Sequence, residues 1–170
     1  MSEVSEAIQA KCLAFGDRVI KLNDYLLEQA ASCMSDVRGK KYDVGKGKSA
    51  FSHQTSDISQ PSYIKHRTSF VPVHLKSVAA LANQLLRSGT SIGANNAEAC
   101  NAISKQDFRS KSYIALKEAR ESLYWIELLH RNNYIDNKQY QSIYEDCEEL
   151  VKILVSRCKK LDEQLKDEKK

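Results

Sequence analysis

The last quarter of the chain keeps one apolar stripe for about seven helical turns. Tyr140, Ile143, Tyr144, Cys147, Leu150, Val151, Leu154, Cys158, Leu161 and Leu165 recur at intervals of three and four. A strand, with its period of two, scatters these residues over both faces; only a helix collects them on one. A stripe of that length has to be covered along its whole extent by other helices, so it constrains the architecture as well as the element. The N-terminal stretch repeats the pattern: Val4, Ile8, Cys12, Phe15, Val19, Leu22 and Leu26 predict a helix ending near Met34.

Two further helices lie between. Leu75, Val78, Leu81, Leu85 and Ile92 begin a second helix that runs through LANQLLRSGTSIGANNAEAC. After a break at 101–104, Ser104 followed three residues later by Asp107 reads as a capping box. It opens a third helix carrying Phe108, Ala115, Ala119, Ile126 and Leu129, its apolar face widened by Tyr113, Leu116 and Leu123. The turn RNNYIDN ends it. Four helices, the last three joined by short connections, predict an all-α, antiparallel up-down four-helix bundle. At 170 residues the chain forms one domain, residues 1–170. The terminal KDEKK is a solvated charge run.

Residues 35–74 interrupt this regularity. Both prolines, Pro61 and Pro72, fall there, with Gly39, Gly45, Gly47, His53, His66 and His74. The segment is read as a basic insertion between helices 1 and 2, either a functional loop or a disordered linker. Its seven cations, Arg38, Lys40, Lys41, Lys46, Lys48, Lys65 and Arg67, face three carboxylates, so it carries the whole net charge of +4. Tyr42, Phe51, Tyr63 and Phe70 are interleaved with them and suit stacking on unpaired bases. A solvated linker whose lysines preserve solubility is the plainer account. The histidines are too irregularly spaced for a metal site.

In the second helix, Gly89 and Gly93 share a face, and each costs roughly 1 kcal/mol relative to Ala. Close approach of a neighbouring helix backbone, helped by Ser88, Ala94 and Ala97, is the expected compensation. A phosphate-binding loop is disfavoured because neither GxGxxG nor GxxxxGK is present. The five cysteines, Cys12, Cys33, Cys100, Cys147 and Cys158, are scattered and lack a CxxC pair, which predicts reduced thiols. Cys12, Cys147 and Cys158 fall in apolar stripes, as packing residues would. No apolar run approaches the length of a bilayer span, and the N-terminus lacks a signal-peptide pattern, so a cytoplasmic protein is expected.

A search for nucleophile–base pairs, carboxylate dyads and metal-ligand spacings yields no constellation, and the chain is expected to be neither an enzyme nor a cofactor protein. Arg87, Asn95 and Glu98 form a polar group on an expected packing face, either a buried hydrogen-bonded network or the lining of a site. Glu118 and Glu121 stand near Lys117 and Arg120, where helical charge pairing accounts for them. Trp125 is either core or an interface anchor. The candidate phosphate contacts on the helices are Arg87, Lys105, Arg109, Lys111, Lys117 and Arg120. Those in the insertion are Lys40, Lys41, Lys46, Lys48, Lys65 and Arg67.

The segments QLLRSGTSIGANNAEAC and SKQDFRSKSYIALKEARESLYWIELL, with FGDRVIKLNDYLLE more loosely, resemble a bacterial four-helix-bundle family. It comprises proteins encoded in intervening sequences of ribosomal RNA genes and the accessory variability determinant proteins of diversity-generating retroelements. The resemblance implies assembly into a homopentameric barrel with basic surfaces. For retroelement members it implies binding to a reverse transcriptase and its nucleic acid. By motif, Arg87, Ser88, Asn95, Glu98 and Ala99 occupy the second-helix signature, and Lys117, Glu118 and Trp125 that of the third. Two features depart from the family pattern. Asn96 stands where an apolar residue is usual, as in SIGANIAEA, and the 35–74 insertion exceeds the typical first loop. The expected function is a nucleic-acid-binding accessory scaffold, with a protein-interaction scaffold that binds no nucleic acid as the alternative. No membrane and no small-molecule substrate are expected as partners.

Overall fold

The computed structural model describes residues 3–39 and 73–168. They form four helices, α1 (Glu3–Gly39), α2 (Val73–Cys100), α3 (Lys105–Arg131) and α4 (Asn137–Asp167), and no strand is present among the described residues. Helix α1 continues through 35–39, and α2 begins at Val73, before His74. The expected non-helical insertion 35–74 is therefore corrected to 40–72 at its widest, a span outside the described residues.

Contacts between helices fix their directions. Gly89 lies against Val19 and Gly93 against Cys12, so α1 and α2 are antiparallel. The hydroxyls of Ser88 and Ser122 meet at 2.9 Å, and Lys111 pairs with Glu98, which sets α3 antiparallel to α2. Arg109 reaches Asp162, while His130 at the other end of α3 meets Asn137. Each helix packs on its two neighbours, and the backbones of diagonally opposed helices do not come within 8 Å of one another. The α1–α4 seam is the most loosely packed, and polar links span it: Lys11 with Glu149, and Arg18 with Asp146 and Ser142.

Core residues come from all four stripes, with Phe15, Val19, Leu26, Leu85, Ile92, Ile126, Leu129, Leu150 and Leu154 almost wholly removed from water. Each contributes about 1.5–3 kcal/mol by burial, set against the conformational entropy of ordering the chain. Cys12, Cys147 and Cys158 belong to this core. Burial pushes the Cys12 thiol up to about 11 and that of Cys147 up to about 12. Both stay protonated and unreactive at neutral pH. Cys100 is half-buried and Cys33 lies outside the residues whose side chains are described.

The close helix approach anticipated at Gly89 and Gly93 is present. A Cβ on Gly89 would stand 3.0 Å from Val19 Cγ2, and one on Gly93 would stand 3.5 Å from Cys12 Cβ. Ser88 is buried beside them but faces α3, while Ala94 is exposed and contributes nothing to the approach.

Both helix starts in the described loops are capped, in different ways. Ser104 Oγ accepts from Asp107 N at 3.1 Å, but the Asp107 carboxylate takes the Ile103 N–H at 3.3 Å, so the expected reciprocal box is only half made. At α4 the box is complete: Asp136 accepts from Gln139 N at 2.7 Å and Gln139 Oε1 accepts from Asp136 N at 2.9 Å. Asn133, with φ of 57°, makes the left-handed turn between α3 and α4 that Asn tolerates better than most residues.

Candidate nucleic-acid interface

The six helical cations singled out by sequence divide into two groups. Lys105 pairs with Glu168, Arg109 with Asp162 and Lys111 with Glu98, so their charges are matched within the bundle. Arg109 also lies with its guanidinium carbon 4.8 Å from the Tyr113 ring centre. Arg87, Lys117 and Arg120 are exposed and make no ion pair among the described residues. The expected pairing of Lys117 and Arg120 with Glu118 and Glu121 is therefore corrected: Glu121 instead accepts from the Trp125 indole N–H at 3.1 Å. Lys40, Lys41, Lys46, Lys48, Lys65 and Arg67 lie outside the described residues.

Lys117 and Arg120 converge with Lys159 of α4 on a groove of about 390 Å3 between α3 and α4, floored by Leu116, Val155 and Cys158. No carboxylate among the described residues lines it. Tyr113 forms one end, its hydroxyl donating to Asp162 Oδ2 at 2.6 Å. That bond holds the Asp162 carboxyl below its usual range, with Arg109 adding to the effect, and raises the Tyr113 phenol. Tyr124, one turn beyond Arg120 on the same side of α3, is 57% exposed. The outer face of α3 thus presents Tyr, Lys, Arg, Tyr at positions 113, 117, 120 and 124. Cations for phosphates alternate there with rings for bases.

Sequence reasoning had Lys117 and Arg120 but missed Tyr124 and Lys159, and placed Tyr113 in the apolar face. Tyr113 is 37% exposed. The successive intervals from Tyr113 to Lys117, Arg120 and Tyr124, of four, three and four, are the signal that identifies the stripe.

The expected polar group of Arg87, Asn95 and Glu98 does not assemble. Arg87 points to solvent, Asn95 Nδ2 donates to the Ser91 carbonyl at 2.8 Å, and Glu98 is the partner of Lys111. The buried polar layer is built instead around Asn96, which is 0% exposed. Its Nδ2 donates to Gln9 Oε1 at 2.5 Å, and its Oδ1 accepts from Arg157 Nη1 at 2.6 Å. Arg157 Cζ lies 5.5 Å from the centre of the Phe108 ring, so α1, α2, α3 and α4 each supply one member. The polar amide flagged as a departure from the family pattern is thus satisfied by two partners. Trp125 is half-buried and packs on the core.

Among the described residues no group of three or more His, Cys, Asp and Glu side chains could hold a metal ion. No helix among them is long and apolar enough to cross a membrane.

Four antiparallel helices with a basic outer groove define an all-α protein. Residues 66–156 match the family described as 23S rRNA-intervening sequence protein, and the chain belongs to that family. The chain is also similar to a crystal structure of a protein with unknown function from the S23 ribosomal protein family of Bacteroides thetaiotaomicron VPI-5482. The two are 32% identical, with 91% of this chain and 97% of that one covered and a TM-score of 0.59. No curated protein matches the chain.

Proposed function

We propose that the protein is a non-catalytic scaffold that binds single-stranded RNA or DNA along the outer face of α3, in company with a polymerase such as a reverse transcriptase or with a ribonucleoprotein. The observation that carries this reading is the stripe of unpaired Lys117 and Arg120 between exposed Tyr113 and Tyr124, joined by Lys159 across the groove. In a bundle that neutralises Lys105, Arg109 and Lys111 internally, cations left unmatched beside a carboxylate-free groove favour an anionic partner. Such contacts hold phosphates and stack bases without reading sequence.

Assembly as a homo-oligomer, a pentamer by family resemblance, belongs to the same proposal. Leu13, Ile20 and Leu27, spaced by seven on α1, are 60%, 44% and 41% exposed, an apolar line that suits a helix of another copy.

The test is binding of single-stranded RNA across a salt series by the whole protein and by a Lys117→Gln/Arg120→Gln variant. Losing two phosphate contacts should lower affinity and reduce the slope of log affinity against log salt by about 1.4. If the whole protein fails to bind at low salt, the scaffold acts on proteins alone. If it binds and the variant is unchanged, the site lies elsewhere, with the 40–72 segment next to be deleted.

A further inference from the structure

At the end of the bundle opposite the α3–α4 turn, α1, α3 and α4 border an open cavity of about 550 Å3. That volume falls within the range of small-molecule sites. Its wall is apolar, formed by Ile8, Phe108, Ile153 and Leu161. Its polar lining is Arg157, Lys152, Lys160, Ser156 and Gln164, three cations and two neutral groups with no carboxylate among the described residues. Lys152 is paired with Glu148, whereas Lys160 and Arg157 have no ion-pair partner among the described residues.

Arg157 is the unusual member. Its half-buried guanidinium has one hydrogen bond, to the neutral amide of Asn96, and burial pulls its pKa down because the charge is desolvated without a counter-charge. Partial burial of a cation without a counter-charge carries a desolvation cost that an anion would offset. Asn96, itself fixed by Gln9, anchors Nη1 and leaves Nε and Nη2 without a partner among the described residues. Those two donors form the edge of the fork that receives a carboxylate in two parallel bonds. An anionic head on Arg157 would sit beside an apolar wall that suits an apolar body.

We propose that this cavity binds a small amphiphilic carboxylate, its head on Arg157 and its body against Ile8, Ile153 and Leu161. The site is distinct from the α3–α4 groove and does not depend on nucleic-acid binding. Lys160 adds a second positive charge at the mouth, and Phe108, already under the guanidinium, closes the floor.

Titration calorimetry with decanoate, decanol and decyltrimethylammonium, on the full chain, tests it. Decanoate should bind at one site per chain, at least about tenfold tighter than decanol, and the cation should not bind. Arg157→Gln should lose at least about tenfold for decanoate and leave decanol unchanged. Ile153→Trp, which fills the cavity without touching the polar layer, should abolish both, with circular dichroism showing that each variant keeps its helices. No saturable decanoate binding, equal binding of decanoate and decanol, or undiminished decanoate binding by Arg157→Gln or Ile153→Trp would overturn the proposal.

Discussion

Val19 presses on Gly89 so closely that a Cβ placed there would stand 3.0 Å from its Cγ2 and 3.2 Å from its Cγ1. Val19 is wholly buried and β-branched, so it has no rotamer into which to retreat. Gly89→Ala should therefore lower stability by about 1–3 kcal/mol even though Ala is the better helix former. Gly93 faces Cys12 Cβ at an ordinary 3.5 Å. Gly93→Ala should raise stability, by about 0.5–1 kcal/mol. Urea unfolding of the two variants reads the opposite signs directly; two shifts of the same sign would refute this account of the helix approach.

That pair of glycines also shows how far sequence alone reaches. Spacing of four placed them on one face and predicted a close neighbour, but only coordinates distinguish a tight contact at 89 from an ordinary one at 93. The four stripes were legible because burial imposes a period on every turn. The complete cap at Asp136 and Gln139 was legible too, as a D-x-x-Q pattern, but it straddles the end of the RNNYIDN segment read only as a turn. Ion pairing was not legible. Lys105, Arg109 and Lys111 resemble Lys117 and Arg120 in sequence, and what separates them is the nearness of Glu168, Asp162 and Glu98, residues set far apart in the chain or on another helix. The Asn96 layer escaped for the same reason: Gln9 and Arg157 lie 87 and 61 residues away.

Ser112 is 0% exposed and its hydroxyl has no hydrogen-bond partner. A buried hydroxyl without a partner costs about 1–3 kcal/mol of desolvation. Ser112→Ala removes the group and improves helix propensity, so it should stabilise the protein by about 1 kcal/mol or more. Thermal unfolding that moves upward agrees. A downward shift would mean that the hydroxyl is satisfied by bound water.

Asn96 and Arg157 should behave as a coupled pair. Asn96→Ile restores the apolar residue of the family pattern yet removes the hydrogen-bond acceptor that Arg157 has among the described residues, so destabilisation of about 1–3 kcal/mol is expected. Arg157→Met in that background takes away the stranded charge and should recover part of the loss. A double-mutant cycle measures the coupling, expected at about 1 kcal/mol or more. Additive effects would show that the layer is not one network.

Asp162 holds both Arg109, at 2.5 Å, and the Tyr113 hydroxyl, at 2.6 Å, and its pKa lies below the ordinary 3.8 as a result. A carboxylate depressed in the folded state contributes stability that is complete above its unfolded value. That contribution disappears as pH falls through the lower folded value. Acid unfolding should therefore include a component below pH 3.8 that Asp162→Asn abolishes. The same variant carries a second consequence at neutral pH, because it releases Arg109 at the end of the α3 stripe where Tyr113 stands. If that stripe binds single-stranded nucleic acid, one freed cation should steepen the salt dependence of binding by about 0.7. A loss of acid sensitivity with an unchanged salt slope would keep the ion pair as a structural tie and place Arg109 outside the interface.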